Sequence, residues 1–136
     1  MKRVTGIGGI FFKSQKPEEL YQWYETHLGI QRAPDGSGAV FEWCEAAPPD
    51  GDSAKSEGAR QGMTVWSIFP HDTKYLEPSA SAFMINYLVD DLDALLAALK
   101  EEGVQVAHRE DYDYGRFAWI MDPEGNRVEL WEPPKQ

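Results

Sequence analysis

The sequence predicts an α+β fold made of two βαβββ modules. Three observations predict it: a composition suited to one packed domain, a strand–helix succession that occurs twice, and matching strand segments after each helix. The chain has 136 residues, 42% of them hydrophobic, with five Trp, six Tyr and six Phe. A chain of this length and composition buries enough apolar surface for a single domain. We therefore expect one domain over residues 1–136, with modules at approximately 1–75 and 80–136.

The first module opens with a strand and an amphipathic helix. Residues 6–12, GIGGIFF, are typical of a strand, and residues 16–29, KPEELYQWYETHLG, are typical of a helix. Pro17 suits the first helical turn and Gly29 suits the C-terminal cap. The large apolar side chains of this helix recur on one face: Leu20, Trp23, Tyr24 and Leu28.

The second module repeats this succession with a more strongly patterned helix. Residues 83–89, FMINYLV, predict a strand, and residues 90–103, DDLDALLAALKEEG, predict a helix. Asp90 or Asp91 can cap its start, and Gly103 can close it. Its apolar stripe consists of leucines at helical spacing: Leu92, Leu95, Leu96 and Leu99.

Matching strand segments follow both helices. FEW at 41–43 corresponds to FAW at 117–119, and TVWSIFP at 64–70 corresponds to RVELWEP at 127–133. We therefore expect about three strands after each helix. The segment 46–62, rich in Pro, Gly, Ser and charged residues, predicts a surface loop in the first module.

Composition excludes several classes of function. A net charge of −10 disfavours nucleic-acid binding, which needs clustered Lys and Arg. The single cysteine, Cys44, excludes an internal disulfide and a Cys-rich zinc site. The N-terminal apolar run ends early at Lys13 and has no small-residue cleavage site, so we expect neither a signal peptide nor a membrane span. These features predict a cytoplasmic enzyme or binding protein.

Three features together resemble the vicinal oxygen chelate superfamily, which includes glyoxalase I, bleomycin-resistance proteins and extradiol dioxygenases. They are the paired modules, the Leu-Gly pair that ends the first helix, and DPEGNRVELWE at 122–132. The resemblance implies a curled, cup-like mixed β-sheet with the helices outside, and a homodimer. It also implies metal ligands on the first and last strands of each module, with Glu129 at the last-strand ligand position.

The internal repeat tests the other three ligand positions within this sequence. Aligning the last strands of the two modules places Trp66 opposite Glu129. Counting back from the glycine that closes each helix places Gly9 and Met84 at the first-strand positions. Glycine offers no ligand, indole is only a donor, and a thioether is too soft for the divalent ions of this superfamily. One carboxylate does not hold a catalytic zinc, so we expect no metal and no other cofactor.

The remaining site candidates are mostly aromatic. Strand alternation places them in sets that share one face of a strand, and the resemblance turns those faces towards the cup interior. Such a cavity, walled by aromatics with isolated polar groups, is typical of small-molecule sites. The same aromatic side chains could instead fill the cup as a hydrophobic core. The sequence leaves open whether the cup is a ligand cavity or a filled core. The predicted ligand-binding residues are Trp43, Trp66, Met84, Asn86, Tyr114, Arg116, Phe117, Trp119 and Trp131.

Glu129 is the one candidate catalytic residue. Inside an apolar cup, desolvation raises the pKa of a carboxyl group and makes it a plausible proton acceptor or donor. The alternative is a carboxylate paired with a neighbouring cation, for which Arg116 and Arg127 are the candidates. The sequence leaves both interpretations open.

The function predicted from these residues is metal-independent binding of a small organic molecule, with acid–base turnover through Glu129 left open. The acidic charge of the chain is compatible with a cationic ligand. One alternative is a metal-dependent lyase, isomerase or dioxygenase that uses unusual ligands such as His71, Asp72 or His108. Another is a non-catalytic structural dimer with a filled cup.

Overall fold

The computed structural model describes residues 3–44 and 61–135 and confirms the α+β fold class. Within these residues there are two helices and one mixed sheet of seven strands, which is not closed into a barrel. The elements are β1 (Val4–Ser14), α1 (Pro17–Leu28), β2 (Ala39–Cys44), β3 (Gln61–Pro70), β4 (Phe83–Val89), α2 (Leu92–Glu101), β5 (Val106–Tyr112), β6 (Gly115–Met121) and β7 (Arg127–Glu132).

The sheet joins the two halves of the chain through their first strands. Its strand order is β2-β3-β1-β4-β7-β6-β5, with β1 antiparallel to β4 at the centre. On either side of this joint, β1 pairs with β3 and β4 pairs with β7 in parallel. The remaining pairs are antiparallel hairpin-type neighbours. Each half therefore contributes its first and last strands to the middle of the sheet.

Both helices begin and end at the residues that the sequence indicates. Pro17 lies in the first turn of α1, and Gly29 closes it in the left-handed conformation with φ 70°. That conformation is strained for any residue with a Cβ, which explains the glycine. Of the two capping candidates for α2, Asp91 is the cap, because its carboxylate accepts a hydrogen bond from the backbone N–H of Ala94. Neither helix in the described ranges is long and apolar enough to span a membrane.

Hydrophobic clusters lie on both faces of the sheet. One cluster packs beneath α1 and centres on Tyr21, Trp66 and Ile68, and a second packs beneath α2. The opposite face of the sheet has no helix among the described residues and is covered by aromatic side chains instead. We call this group the cup cluster; its members are Phe11, Phe69, Leu76, Met84, Phe117, Trp119 and Trp131.

Within the described residues, the first half has fewer strands than the expected module. Only β2 and β3 follow α1 within the described residues, where about three strands were expected. Residues 30–38 contain no strand, and Gly36 and Gly38 have positive φ. Of the predicted loop 46–62, Gln61 and Gly62 belong to β3, and the rest lies outside the described residues.

Candidate functional site

Three polar side chains lie side by side on the cup face of the sheet. Glu129 on β7 is the direct cross-strand neighbour of Asn86 on β4 and of Trp119 on β6. Strand alternation turns Val128 and Leu130 towards α2, so Glu129 points the other way, into the cup. The exposed fraction is 2% for Glu129 and Asn86 and 3% for Trp119. We call these three residues the buried polar row.

Tyr75 covers the buried polar row from the connection between β3 and β4. Its phenol donates towards Glu129, with Oη 3.2 Å from each carboxylate oxygen. The ring lies edge-on to Phe69 and Trp119, with centroid distances of 5.8 and 6.4 Å. The next residue, Leu76, is completely buried in the cup cluster. The connection therefore places a phenol and an aliphatic side chain inside the cup.

Arg127 stacks beside this group without donating to the carboxylate. Its guanidinium lies 5.0 Å from the Trp119 ring centroid and 5.6 Å from that of Tyr75. Its Nη1 donates to the backbone carbonyl of Tyr75. The side chain thus fixes the backbone of the connection, and its positive charge remains close enough to influence Glu129.

Burial is the main influence on the titration of the site. It raises the pKa of Glu129, and the hydrogen bond from Tyr75, together with smaller contributions from Asn86, Arg127 and Trp119, offsets only part of that effect. Burial likewise raises the pKa of Tyr75, and the neighbouring Glu129 charge raises it further. The pKa of Arg127 is lowered by burial. The site therefore favours an uncharged carboxyl group more than water does.

Two polar atoms beside Glu129 have no hydrogen-bond partner in the described part of the chain. They are the acceptor Oδ1 of Asn86 and the donor Nε1 of Trp119, both buried. Trp119 lies close enough to Glu129 to lower its pKa, yet its N–H makes no hydrogen bond of ordinary geometry. An unpaired buried polar group costs about 1–3 kcal/mol. An acceptor and a donor that flank a carboxylate can together hold a polar group of a ligand.

An open groove adjoins the buried polar row. The next pair of β4 and β7 that faces the cup is Leu88 and Trp131, and both side chains line a groove with a volume of about 1140 Å³. Trp43 forms another part of its wall, and its Nε1 donates to Thr64 Oγ1 at 2.9 Å. The charged side chains of the lining are three carboxylates and one ammonium: Glu42, Asp90, Glu132 and Lys135.

Comparison with known proteins places the chain in a family. The sequence model of the Glyoxalase/Bleomycin resistance protein/Dioxygenase superfamily matches residues 10–130. The chain belongs to this superfamily. No curated protein matches the sequence.

Solved structures of superfamily proteins share the fold. Methylmalonyl-CoA epimerase from Mycobacterium tuberculosis is 22% identical, with a TM-score of 0.57, covering 99% of this chain and 92% of that one. A variant of the Streptomyces coelicolor methylmalonyl-CoA epimerase is 17% identical, with a TM-score of 0.62 and coverages of 97% and 99%. The Mn(II)-bound glyoxalase from Novosphingobium aromaticivorans is 18% identical, with a TM-score of 0.58, covering 97% of this chain and 40% of that one. At these identities the likeness shows the fold alone.

Most of the residues expected at the site of this superfamily member lie on the cup face. Met84, Phe117 and Trp119 are buried in the cup cluster, and Asn86 lies beside Glu129. Trp131 lines the groove from the cup face. Trp43 also lines the groove, but it lies on the strand face shared by Thr64 and Trp66, so its expected position on the cup face was wrong. Tyr114 lies at the rim, where its ring stacks on Tyr112 at 5.1 Å and contacts Phe117 edge-on at 5.6 Å.

Trp66 and Arg116 lie on the opposite face, so their expected positions were wrong. Gly9 pairs with Val65, and Trp66 therefore points beneath α1, where it contacts Tyr21. The repeat alignment of β3 with β7 was displaced by one residue, which inverts the face of every side chain in a strand. Arg116 points towards α2 and binds Asp93 at 3.0 Å, so it does not contact Glu129 or the mouth of the cup.

Tyr75 was missed because its sequence position carries no signal. It belongs to an irregular connection, where neither strand alternation nor helical spacing predicts which way a side chain points. The completely buried Leu76 beside it shows that the connection folds into the cup. Only the three-dimensional path of the connection brings the phenol to Glu129.

The donor set around Glu129 does not fit a catalytic divalent metal. The corrected row across the sheet contains Val65, Gly9, Asn86 and Glu129, which supply one carboxylate and one amide. Catalytic zinc sites usually have three protein ligands. Over residues 3–44 and 61–135, no three His, Cys, Asp or Glu side chains are grouped to hold a metal ion.

The unusual ligands considered for this site are not assembled around Glu129. His71 and Asp72 are exposed in the turn that follows β3. His108 contacts Glu110 at 2.7 Å and stacks on Trp119 at a centroid distance of 5.5 Å, and its side chain is 55% exposed. These residues do not supply the missing ligands.

Proposed function

We propose that this superfamily member binds a small organic molecule on the cup face without the aid of a metal. The observation that carries the proposal is the adjacency of the groove floor to the buried polar row. Leu88 and Trp131 lie two residues beyond Asn86 and Glu129 and form the next pair on the same face of these two strands. A ligand in the groove would have an apolar wall beside a carboxylate with raised pKa, together with an unpaired acceptor and an unpaired donor.

The groove favours an aromatic ligand that is neutral or cationic. Trp43 and Trp131 offer aromatic faces for stacking and cation–π contact. The lining contains three carboxylates against the single ammonium of Lys135, and the chain as a whole carries a net charge of −10. An anionic ligand would therefore be repelled locally and at long range.

A ligand titration with a matched control tests this proposal. We would titrate the chelator-treated protein with benzylamine and with benzoate and follow the ligand signals by NMR. We expect a Kd on the order of 1 mM for benzylamine, as is usual for a molecule of this size, and weaker binding of benzoate. W43A should weaken benzylamine binding, whereas W23A, on the outer surface of α1 where Trp23 is 50% exposed, should not. Equal weakening by both variants, or binding that requires an added divalent metal, would contradict the proposal.

A second candidate is proton transfer by Glu129. A buried carboxyl group with raised pKa, hydrogen-bonded to a phenol, is a suitable acid–base group. Deuterium exchange into phenylacetone, whose benzylic C–H is weakly acidic, would reveal such activity by NMR. We expect exchange faster than the buffer rate with the native protein and at the buffer rate with E129Q. Equal exchange by the two proteins would eliminate this candidate.

The proposal includes a homodimer, which the superfamily resemblance implies. Apolar side chains that are between 36% and 50% exposed on β1, β2 and β3 support it: Ile7, Ile10, Val40, Phe41 and Met63. Packing against a second subunit would remove apolar area of these side chains from water. Light scattering coupled to size exclusion should give twice the monomer mass of 15.4 kDa. A single species at the monomer mass would contradict this part of the proposal.

A further inference from the structure

We propose that the buried polar row is a hydroxyl-binding subsite, that Tyr75 occupies it in the free protein, and that a phenol of the ligand replaces Tyr75 there. The inference deepens the proposed function, on which it rests, by naming the chemical group that reaches Glu129. It makes the Tyr75 side chain a gate within the cup.

The hydrogen bond between Tyr75 and Glu129 has the geometry of a weak contact, so Tyr75 is a weakly held occupant of the subsite. Both Oη–carboxylate distances are 3.2 Å, whereas a strong O–H to carboxylate hydrogen bond is about 2.5–2.7 Å long. The phenol is shared between the two oxygens and is optimal for neither. Tyr75 as a whole is 40% exposed, so water can solvate the ring when it leaves. A ligand that hydrogen-bonds more closely can therefore compete with it.

The backbone beneath Tyr75 is held in place, so the moving part is the side chain. Leu76 is completely buried in the cup cluster, and Arg127 donates to the Tyr75 carbonyl. Both contacts persist when the Tyr75 ring rotates about its first side-chain bond. Such rotations of partly exposed side chains occur in picoseconds to nanoseconds. The gate therefore needs no unfolding of the connection.

The space that the ring leaves is suited to another aromatic ring. Phe69 and Trp119 contact the Tyr75 ring edge-on, and the same two rings would contact a ligand ring in its place. Tyr75 itself shows that a phenol ring fits between these walls with its hydroxyl at Glu129. The occupant thus defines the shape of the ligand group.

The charges and unpaired atoms of the row select a neutral hydroxyl. A hydroxyl can donate to Glu129 and also accept from the unpaired Nε1 of Trp119. A ligand carboxylate would be repelled by Glu129. An ammonium has no acceptor to offer Trp119, and it would lie near the guanidinium of Arg127. Of these three groups, only the hydroxyl satisfies both neighbours.

Removal of the Tyr75 side chain tests the gate directly. We would compare phenol with toluene, which has the same ring but no hydroxyl, by ligand-observed NMR on wild type, Y75A and Y112A. Phenol should bind Y75A about tenfold more tightly than wild type, because the competing occupant is gone. The affinity of toluene should increase less than that of phenol in Y75A. Y112A, which removes a rim tyrosine that is 47% exposed, should leave phenol binding unchanged. Equal gains for phenol and toluene, or an equal gain in Y112A, would overturn the proposal.

A measurement on the wild-type protein keeps the proposal testable if Y75A does not fold. The indole proton of Trp119 should move downfield when phenol is added, because its unpaired N–H gains an acceptor, and should not move downfield with toluene. A Trp119 indole signal that stays in place at saturating phenol would overturn the subsite. Benzylamine binding in the groove, followed through W43A, is measured separately. If benzylamine does not bind but phenol still shifts the Trp119 signal, only the groove proposal is overturned. If benzylamine binds but phenol does not shift the Trp119 signal, only the gate proposal is overturned.

Discussion

Glu129 is a carboxyl group placed among aromatic rings, and its burial has a measurable effect on folding. Its folded-state pKa lies above the ordinary value of 4.5 because burial penalises the charged form. At a pH below the unfolded-state pKa, Glu129 is protonated in both the folded and the unfolded protein, so burial of its charge costs no stability. As pH rises above that value, the unfolded state ionises first, and the stability of the native protein falls until Glu129 has ionised in the folded state as well.

We expect E129Q to be more stable than wild type at neutral pH and equally stable near pH 4. For a domain of this size, a change of about 1 kcal/mol in the free energy of unfolding corresponds to about 3–6 °C in Tm. The Tm difference between the two proteins should grow with pH from about 4.5 upwards. E124Q, at an exposed carboxylate in the turn before β7, is the control and should show no such trend. A Tm difference independent of pH would mean that Glu129 ionises in the folded state as it does in water.

Tyr75 moderates the effect of burial on Glu129. Its hydrogen bond lowers the pKa of the carboxyl group, so Y75F should raise that pKa further while the ring still fills the same space. The hydrogen bond favours the ionised carboxylate, so its loss leaves burial less opposed and the pKa of Glu129 should rise. Carbon NMR of the Glu129 carboxyl group measures it. Y24F, on the α1 side of the sheet, should leave the titration unchanged, and an unchanged titration in Y75F would contradict the assigned contact.

At the scale of secondary-structure elements, the groove wall depends on glycines in neighbouring strands. Trp43 on β2 lies over Gly6 and Gly62, and a Cβ at position 6 would come within 2.6 Å of its ring. Thr64 accepts from the indole N–H and donates to the carbonyl of Ile7, so the ring is fixed in one orientation. The ends of β1 and β3 therefore form a flat surface for this tryptophan.

We expect G62A to disturb the groove while preserving the fold. A Cβ at position 62 would overlap the Trp43 ring, so the indole must shift or turn. Benzylamine binding should weaken by about tenfold if the ring loses its stacking position, equivalent to about 1.4 kcal/mol. G125A is a backbone control, because the turn glycine has φ 82° and an added Cβ there would contact nothing within 4 Å. Retained binding in G62A, or the same loss in G125A, would show that the glycine surface does not position Trp43.

Strand register shows where prediction from sequence succeeded and failed at this scale. Helix limits were predictable because Pro17, Gly29 and Asp91 act within one turn of chain. The face of the sheet on which Trp66 lies was not predictable, because pairing between β1 and β3 joins residues more than 50 positions apart. A displacement of one residue leaves the sequence pattern almost unchanged but inverts the face.

At the scale of the whole molecule, the net charge of −10 should act on ligands before they reach the groove. Attraction of benzylamine by this charge and by the groove carboxylates is screened as salt is added. We expect its Kd to rise by about threefold between 20 and 300 mM NaCl, while that of neutral benzyl alcohol changes little. The same NMR titration measures both ligands. Equal salt dependence would show that charge does not contribute to recognition.

The fold class was predictable at this scale because it depends on features that occur twice. The strand–helix succession and the strand segments that follow it each occur twice, and each is recognised from a few neighbouring residues. The site was only partly predictable. Asn86, Trp119 and Glu129 follow from strand alternation, but Tyr75 reaches them from a connection whose path depends on the buried Leu76.

The five tryptophans of the chain allow a direct test of whether the cup face binds an aromatic molecule without a metal. Each indole N–H gives one signal in a nitrogen–proton correlation spectrum. After chelator treatment and addition of benzylamine, we expect shifts for the groove residues Trp43 and Trp131, and none for Trp23 on α1 or Trp66 beneath it. Shifts confined to Trp23 and Trp66, or shifts of any tryptophan only after a divalent metal is added, would contradict this expectation.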